Sequence, residues 1–140
     1  MIQVLLGMGS NIEAEYHLKQ AAAALRTRFA EVHFSSVYQS AAIGMDGDDF
    51  LNACCLFESE LSEQELIALL KSMEDKQGRD RSRGSWKPRT LDLDVLMYDG
   101  QVVDDELHRY AHASVPASEL VEITVPDDSA AKLTQLALRL

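Results

Sequence analysis

No stretch of this sequence approaches the run of about 18 apolar residues that a membrane-spanning helix needs. Hydrophobic residues make up 46% of the chain and charged residues 26%, which excludes a disordered or low-complexity chain and fits a globular protein. Cysteine is nearly absent. Cys54 and Cys55 are adjacent, a spacing that excludes a disulfide framework and a zinc finger. They read as small buried strand residues in a reducing compartment, the cytoplasm. Basic charge is scarce: 13 Lys and Arg against 23 Asp and Glu leave a net charge of −10, so neither nucleic acid nor an anionic membrane is an expected partner. The opening Met1-Ile2-Gln3-Val4-Leu5-Leu6 lacks a basic n-region and reads as a strand, not a signal peptide. Repeats and linkers are missing too, and 140 residues suit one domain, 1–140, with one substantial core.

What basic charge there is clusters. Lys76, Arg79, Arg81, Arg83, Lys87 and Arg89 supply six of the 13 Lys and Arg. A local basic cluster on an acidic protein points to a small anionic ligand.

Hydrophobic periodicity predicts the elements. Residues 2–6 form a strand, and Gly7 to Asn11 a turn leading into a helix over 12–28, with Leu18, Ala21, Ala22 and Leu25 on one face. The alternation over 31–39 predicts a strand, 41–49 a loop, and Phe50–Phe57 an apolar strand. Ser62 and Glu65 make a capping box for a helix over 63–77 that stops at Gly78. Residues 79–90 read as a mobile loop. A strand over Leu91–Tyr98 then turns at Asp99-Gly100 into a return strand at 101–103. Irregular chain to about 115, a helical turn at 116–120, a strand near 121–125 and a helix from Ser129 complete the expectation. The order β-α-β-β-α-β is that of an α+β, ferredoxin-like split βαβ fold, with a mainly antiparallel sheet and flanking helices.

The most informative run is Arg89-Thr90-Leu91-Asp92-Leu93-Asp94-Val95. On a strand, Asp92 and Asp94 share one face, and Leu91, Leu93 and Val95 the other. Two carboxylates side by side repel unless a cation intervenes. Either they are a solvated polar face, or they are a platform for Mg²⁺, which prefers a few carboxylates plus water and phosphate oxygens. Arg89 beside the pair and Arg79 across the loop are suited to clamp phosphates. Trp86, the sole tryptophan, either packs on the body or covers a planar ligand. Gly7 to Asn11 reads as a turn with Ser10 or Asn11 as N-cap, or as a phosphate cradle at a helix N-terminus. Asn52, in an apolar strand, carries an amide that can pair with the edge of a heterocycle. Glu74 sits near a helix C-terminus, where the dipole disfavours a carboxylate.

Together these residues resemble the hydroxymethyldihydropterin pyrophosphokinase family of folate biosynthesis over most of 2–107. The resemblance rests on Gly9-Ser10-Asn11, Tyr38-Gln39-Ser40, Phe50-Leu51-Asn52, Glu74 with Gly78-Arg79, and Trp86-Lys87-Pro88-Arg89-Thr90-Leu91-Asp92-Leu93-Asp94. It implies transfer of pyrophosphate from ATP to the hydroxymethyl group of a reduced pterin, leaving AMP. It implies two Mg²⁺ ions on Asp92 and Asp94, and phosphate binding by Arg79 and Arg89. Phe50, Asn52 and the backbone near Ser40 and Ile43 would line the pterin pocket. Glu74 would stand between pterin and nucleotide, and Trp86 would close over both. The partners would be these small molecules alone, met by a monomer or weak dimer.

The match departs in places. Lys87 stands where the family has Gly, and Ala41 where it has Pro. The segment after Leu107 is short and lacks a Pro-His pair that holds ATP. Aligning Pro116 and Glu119 with their family counterparts puts His112 at the aromatic that stacks on the pterin, with His108 or Tyr110 able to compensate. His112→Phe is then expected to strengthen pterin binding. A related enzyme for another pterin alcohol, or a non-catalytic paralogue, stays open.

Overall fold

The structure, a computed structural model, describes residues 1–40, 49–78, 91–123, 125 and 133–140. Ile43, Arg79, Trp86 and Arg89, and the loop expected over 79–90, lie outside them. The chain runs β1 (Ile2–Ser10), α1 (Ala14–Arg28), β2 (His33–Phe34), β3 (Tyr38–Ser40), β4 (Phe50–Ser59), α2 (Glu63–Lys76), β5 (Asp92–Tyr98), β6 (Gln101–Val102), α3 (Glu106–Arg109), α4 (Ala111–Ser118) and β7 (Thr134–Gln135). The strands make one sheet in the order β6-β5-β1-β4-β3-β7, with β2 also on β4 and every pairing antiparallel. This is the expected split βαβ arrangement, with α1 joining β1 to the edge strands across β4.

Strand alternation builds two cores. Val4, Leu6 and Met8 of β1, Ala53, Cys55 and Phe57 of β4, and Leu93 and Val95 of β5 pack with Leu18 and Leu25 of α1 and Leu66 and Leu70 of α2. The opposite parity, Leu5, Cys54 and Leu96, packs with Leu107 of α3 and Ala113 and Ala117 of α4. Between Leu5 and Leu6 the β1–β5 register slips by one residue. Such a bulge lets both Leu96 and Met97 turn to the second core.

The capping box on α2 forms as read: Glu65 N–H donates to Ser62 Oγ at 3.2 Å and Ser62 N–H to Glu65 Oε1 at 3.0 Å. His17 Nδ1 meets Gln77 Oε1 at 2.7 Å, tying the first turn of α1 to the end of α2. Asp99 and Gly100 turn the β5–β6 hairpin with φ of 56° and 77°, the two positive values a type I′ turn needs.

Several elements differ from expectation. Residues 7–10 continue β1, because each pairs with both or one of β4 and β5, and α1 begins only at Ala14, with Glu13 at the N-cap in place of Ser10 or Asn11. The strand expected over 31–39 splits at Ser35, whose Oγ accepts the Cys54 N–H at 2.8 Å in place of a regular ladder bond. The chain expected to be irregular before 115 folds into α3 and α4, whose Leu107, Ala113 and Ala117 close the second core. Residues 121–123 join no strand, although Val121 and Ile123 pack on that core. The expected final helix does not appear over 133–140. There Leu136, Leu138 and Leu140 alternate onto the first core while β7 pairs with β3.

Candidate active site

Among the described residues the sheet's second face is only partly covered, and the gap lies over the middle strand. Asp92 and Asn52 both pair with Gly9, from β5 and β4, while Asp94 and Cys54 both pair with Gly7. Neighbouring strands lie about 4.8 Å apart, so each row spans roughly 10 Å between its outer Cα atoms. With no side chains on Gly7 and Gly9, the rows form a trough. A cleft of about 360 Å³ sits there, lined by Gly7, Gly9, Ser40, Phe50, Asn52, Asp92, Asp94, Glu106 and His112.

A second cleft of about 300 Å³ lies beyond β5, lined by Ile67, Leu70, Lys71 and Glu74 of α2, by Asp92 and Asp94 again, and by Val103 and Asp104. The two aspartates therefore border both clefts. Their shared face follows from strand alternation: Leu91 and Leu93, of opposite parity, are buried in the first core.

Among the carboxylates of the clefts, Asp94 is strongly perturbed. Burial pushes its carboxyl up to about 8, and the negative charges of Asp92, Glu106, Asp104 and Glu74 push the same way. Carboxylate oxygens of Asp94, Asp104 and Glu106 lie within 4.8 Å of one another. Hard oxygen donors at this density fit a divalent cation such as Mg²⁺, which would supply the charge that ionised Asp94 needs. Asp104 and Glu106 were missed in the sequence. The Asp104-Asp105-Glu106 run follows the hairpin at Asp99-Gly100, and that return was the signal that could have placed it beside Asp94.

Glu74 is buried, and its Oε2 accepts the Leu93 N–H, between the two aspartates, at 2.7 Å. Its position near the helix C-terminus thus serves a contact to β5 on the second cleft. Asn52 is nearly buried, and its Nδ2 donates to Ser40 Oγ at 3.0 Å. Phe50 lines the same cleft.

His112 lines the first cleft, but its ring is engaged. Nε2 meets Glu106 Oε1 at 2.6 Å, and the ring stacks on Tyr110 with centroids 5.3 Å apart and planes 14° apart. His108 lies on α3 and is exposed. Glu119, at the end of α4, accepts the Tyr38 hydroxyl at 2.5 Å and the Ser36 N–H at 2.9 Å, which anchors α4 to the edge of the sheet. Burial and this carboxylate push the Tyr38 phenol up to about 12. Cys54, on the wall of the first cleft, is a poor nucleophile because burial raises its thiol far above the usual range. The phosphate cradle considered for Gly7 to Asn11 does not form at a helix N-terminus, since those glycines lie in mid-strand.

The family model described as 7,8-dihydro-6-hydroxymethylpterin-pyrophosphokinase matches residues 5–129. The 2-amino-4-hydroxy-6-hydroxymethyldihydropteridine pyrophosphokinase of Haemophilus influenzae is 34% identical over 125 residues, covering 86% of this chain and 78% of its own. That of Aquifex aeolicus is 33% identical over 114 residues, 80% of this chain and 71% of its own. The protein of the same name from Methylorubrum extorquens is 35% identical over 132 residues, covering 86% and 83%.

Proposed function

The chain belongs to the 7,8-dihydro-6-hydroxymethylpterin-pyrophosphokinase family, and from that premise we propose that it transfers pyrophosphate from ATP to the hydroxymethyl group of a reduced pterin, releasing AMP, a step of folate biosynthesis. The observation that carries this reading is that Asp92 and Asp94 border two separate clefts. A reaction between two substrates needs its reacting atoms brought together at one edge. The first cleft, flat-floored and flanked by Phe50 and Asn52, suits the pterin. The second, with apolar Ile67, Leu70 and Val103 and basic Lys71, suits the nucleotide.

The pterin hydroxyl oxygen attacks the β-phosphorus of ATP. The bond from that phosphorus to the oxygen bridging to the α-phosphate breaks, AMP leaves with the electron pair, and the hydroxyl proton passes to solvent. Mg²⁺, when bound, offsets phosphate charge and polarises the hydroxyl. Asp92 and Asp94 would hold it. We take the number of ions as two, because Asp104 and Glu106 add carboxylates beyond what one Mg²⁺ that keeps several waters takes. Arg79 and Arg89 would bind the phosphates, and Trp86 and the backbone near Ile43 would complete the ligand shell. The basic cluster supports the two arginines, and the resemblance supports all four assignments. Glu74 orders β5 between the two aspartates through the Leu93 N–H.

Both substrates are small molecules, and a cytoplasmic monomer or weak dimer is part of this reading. The two buried free thiols, Cys54 and Cys55, support a reducing compartment. No helix among the described residues is long and apolar enough to cross a membrane.

A second reading, a pyrophosphokinase for another pterin alcohol, is favoured by one observation. The wall of the first cleft is built by Glu106 and His112, bonded to each other. An assay of AMP release from ATP and Mg²⁺ across a panel of pterin alcohols decides between the two. The proposed function requires 6-hydroxymethyl-7,8-dihydropterin to be the most efficient substrate. A longer-armed pterin alcohol with higher kcat/KM would install the second reading, and no AMP release with any member would refute both.

A further inference from the structure

Gly9 sits under the amide of Asn52. A Cβ built on Gly9 would lie 2.9 Å from Asn52 Oδ1, closer than packed atoms tolerate, while its next neighbours, Phe50 Cδ1 at 3.8 Å and Leu51 O at 3.9 Å, are ordinary contacts. Among the described residues, the conflict of a Cβ at position 9 is therefore with one group, the Asn52 carboxamide. That carboxamide is held from its other end as well, by Nδ2 donating to Ser40 Oγ at 3.0 Å. Asn52 is 7% exposed in a strand paired on both sides, so its backbone has little freedom to retreat.

We infer that Gly9 is a positioning residue: by lacking a side chain it lets Asn52 keep the amide orientation, Nδ2 on Ser40 and Oδ1 over β1, that presents a hydrogen-bonding edge to the ligand in the first cleft. Gly7 differs. A Cβ there would meet Leu96 Cδ1 at 3.1 Å, the end of a flexible side chain that can give way. Gly9 thus acts through Asn52, and the inference rests on the reading of that cleft as the pterin pocket. The rival account is that Gly9 only leaves room for the ligand itself.

A double-mutant cycle separates the two. Dissociation constants for 6-hydroxymethylpterin, with Mg²⁺ and a nonhydrolysable ATP analogue at saturation, are measured for wild type, Gly9→Ala, Asn52→Ala and the double variant. A displaced hydrogen-bonding amide should weaken pterin binding about tenfold in Gly9→Ala. The ATP-analogue affinity should stay within about twofold, since the nucleotide does not use that amide. Adding Gly9→Ala to Asn52→Ala should change nothing further, because the 2.9 Å conflict is then gone. The double variant also covers the case in which Gly9→Ala alone fails to fold. An equal further loss in the Asn52→Ala background would overturn the inference in favour of direct ligand contact and leave the pocket assignment standing. An Asn52→Ala variant that binds pterin like wild type would overturn both.

Discussion

Asn52 and Asp92 pair with the same glycine, Gly9, from opposite sides, so the amide proposed to recognise the ligand and the carboxylate proposed to hold the metal flank Gly9 in one row of the sheet. Nothing but the backbone of β1 lies between them in that row. In the proposed reading these two groups would be held by paired strands, which hold geometry better than loops do.

Asp92→Ala and Asp94→Ala should each lower turnover by about 100-fold or more, the loss expected when a metal ligand goes. Neither should lower stability much, because both side chains face a cleft. Steady-state AMP release and urea unfolding measure the two effects. Near-normal turnover in either variant would contradict the platform assignment.

Stability without metal should fall as pH rises. The Asp94 carboxyl titrates near 8 in the folded protein against 3.8 ordinarily, so between those values the folded state keeps a proton that the unfolded state has lost. Raising pH then favours unfolding, with the loss spread from about pH 4 to about pH 8 and levelling beyond. Urea unfolding in EDTA at pH 5, 7 and 8.5 should show this slope. Asp94→Asn should remove most of it, and Glu106→Gln should shift its upper limit to lower pH by removing one of the repelling charges. A wild-type profile matching that of Asp94→Asn would contradict the assignment.

His112→Phe should not strengthen pterin binding, contrary to what alignment with a stacking aromatic suggests. The imidazole already stacks on Tyr110 and bonds Glu106, so a phenyl ring forfeits that bond and leaves the Glu106 carboxylate beside Asp94 without its partner. Calorimetric titration with pterin should give equal or weaker affinity. A clear gain would restore the stacking role.

Ser62→Ala should destabilise the protein by about 1 kcal/mol through loss of the N-cap on α2, with kcat/KM unchanged. Unfolding free energy and the standard assay check this, and a loss of activity at unchanged stability would contradict it.

The fold and part of the candidate site were legible in the sequence where short-range rules decide. Alternation placed Asp92 and Asp94 on one face, and Ser62 with Glu65 gave the start of α2 to the residue. Gly7 and Gly9 misled, because glycine punctuates turns far more often than it floors a trough, and only pairing on both sides makes β1 tolerate them. The segment after Leu107 was opaque for a related reason. Its short helices are held by a second core, through Leu107, Ala113 and Ala117, and by Glu119 on Tyr38, contacts that no local period announces. Asp104 and Glu106 reach the site only once the hairpin folds back.

The central claim is that Asp92 and Asp94 join a nucleotide cleft to a pterin cleft for transfer of pyrophosphate. The most direct measurement follows the label of [β-³²P]ATP incubated with Mg²⁺ and 6-hydroxymethyl-7,8-dihydropterin. The account predicts label in the pterin diphosphate, with one AMP released per labelled product, and loss of both in Asp94→Ala. Label retained in ADP would contradict it, because a monophosphate would then be transferred.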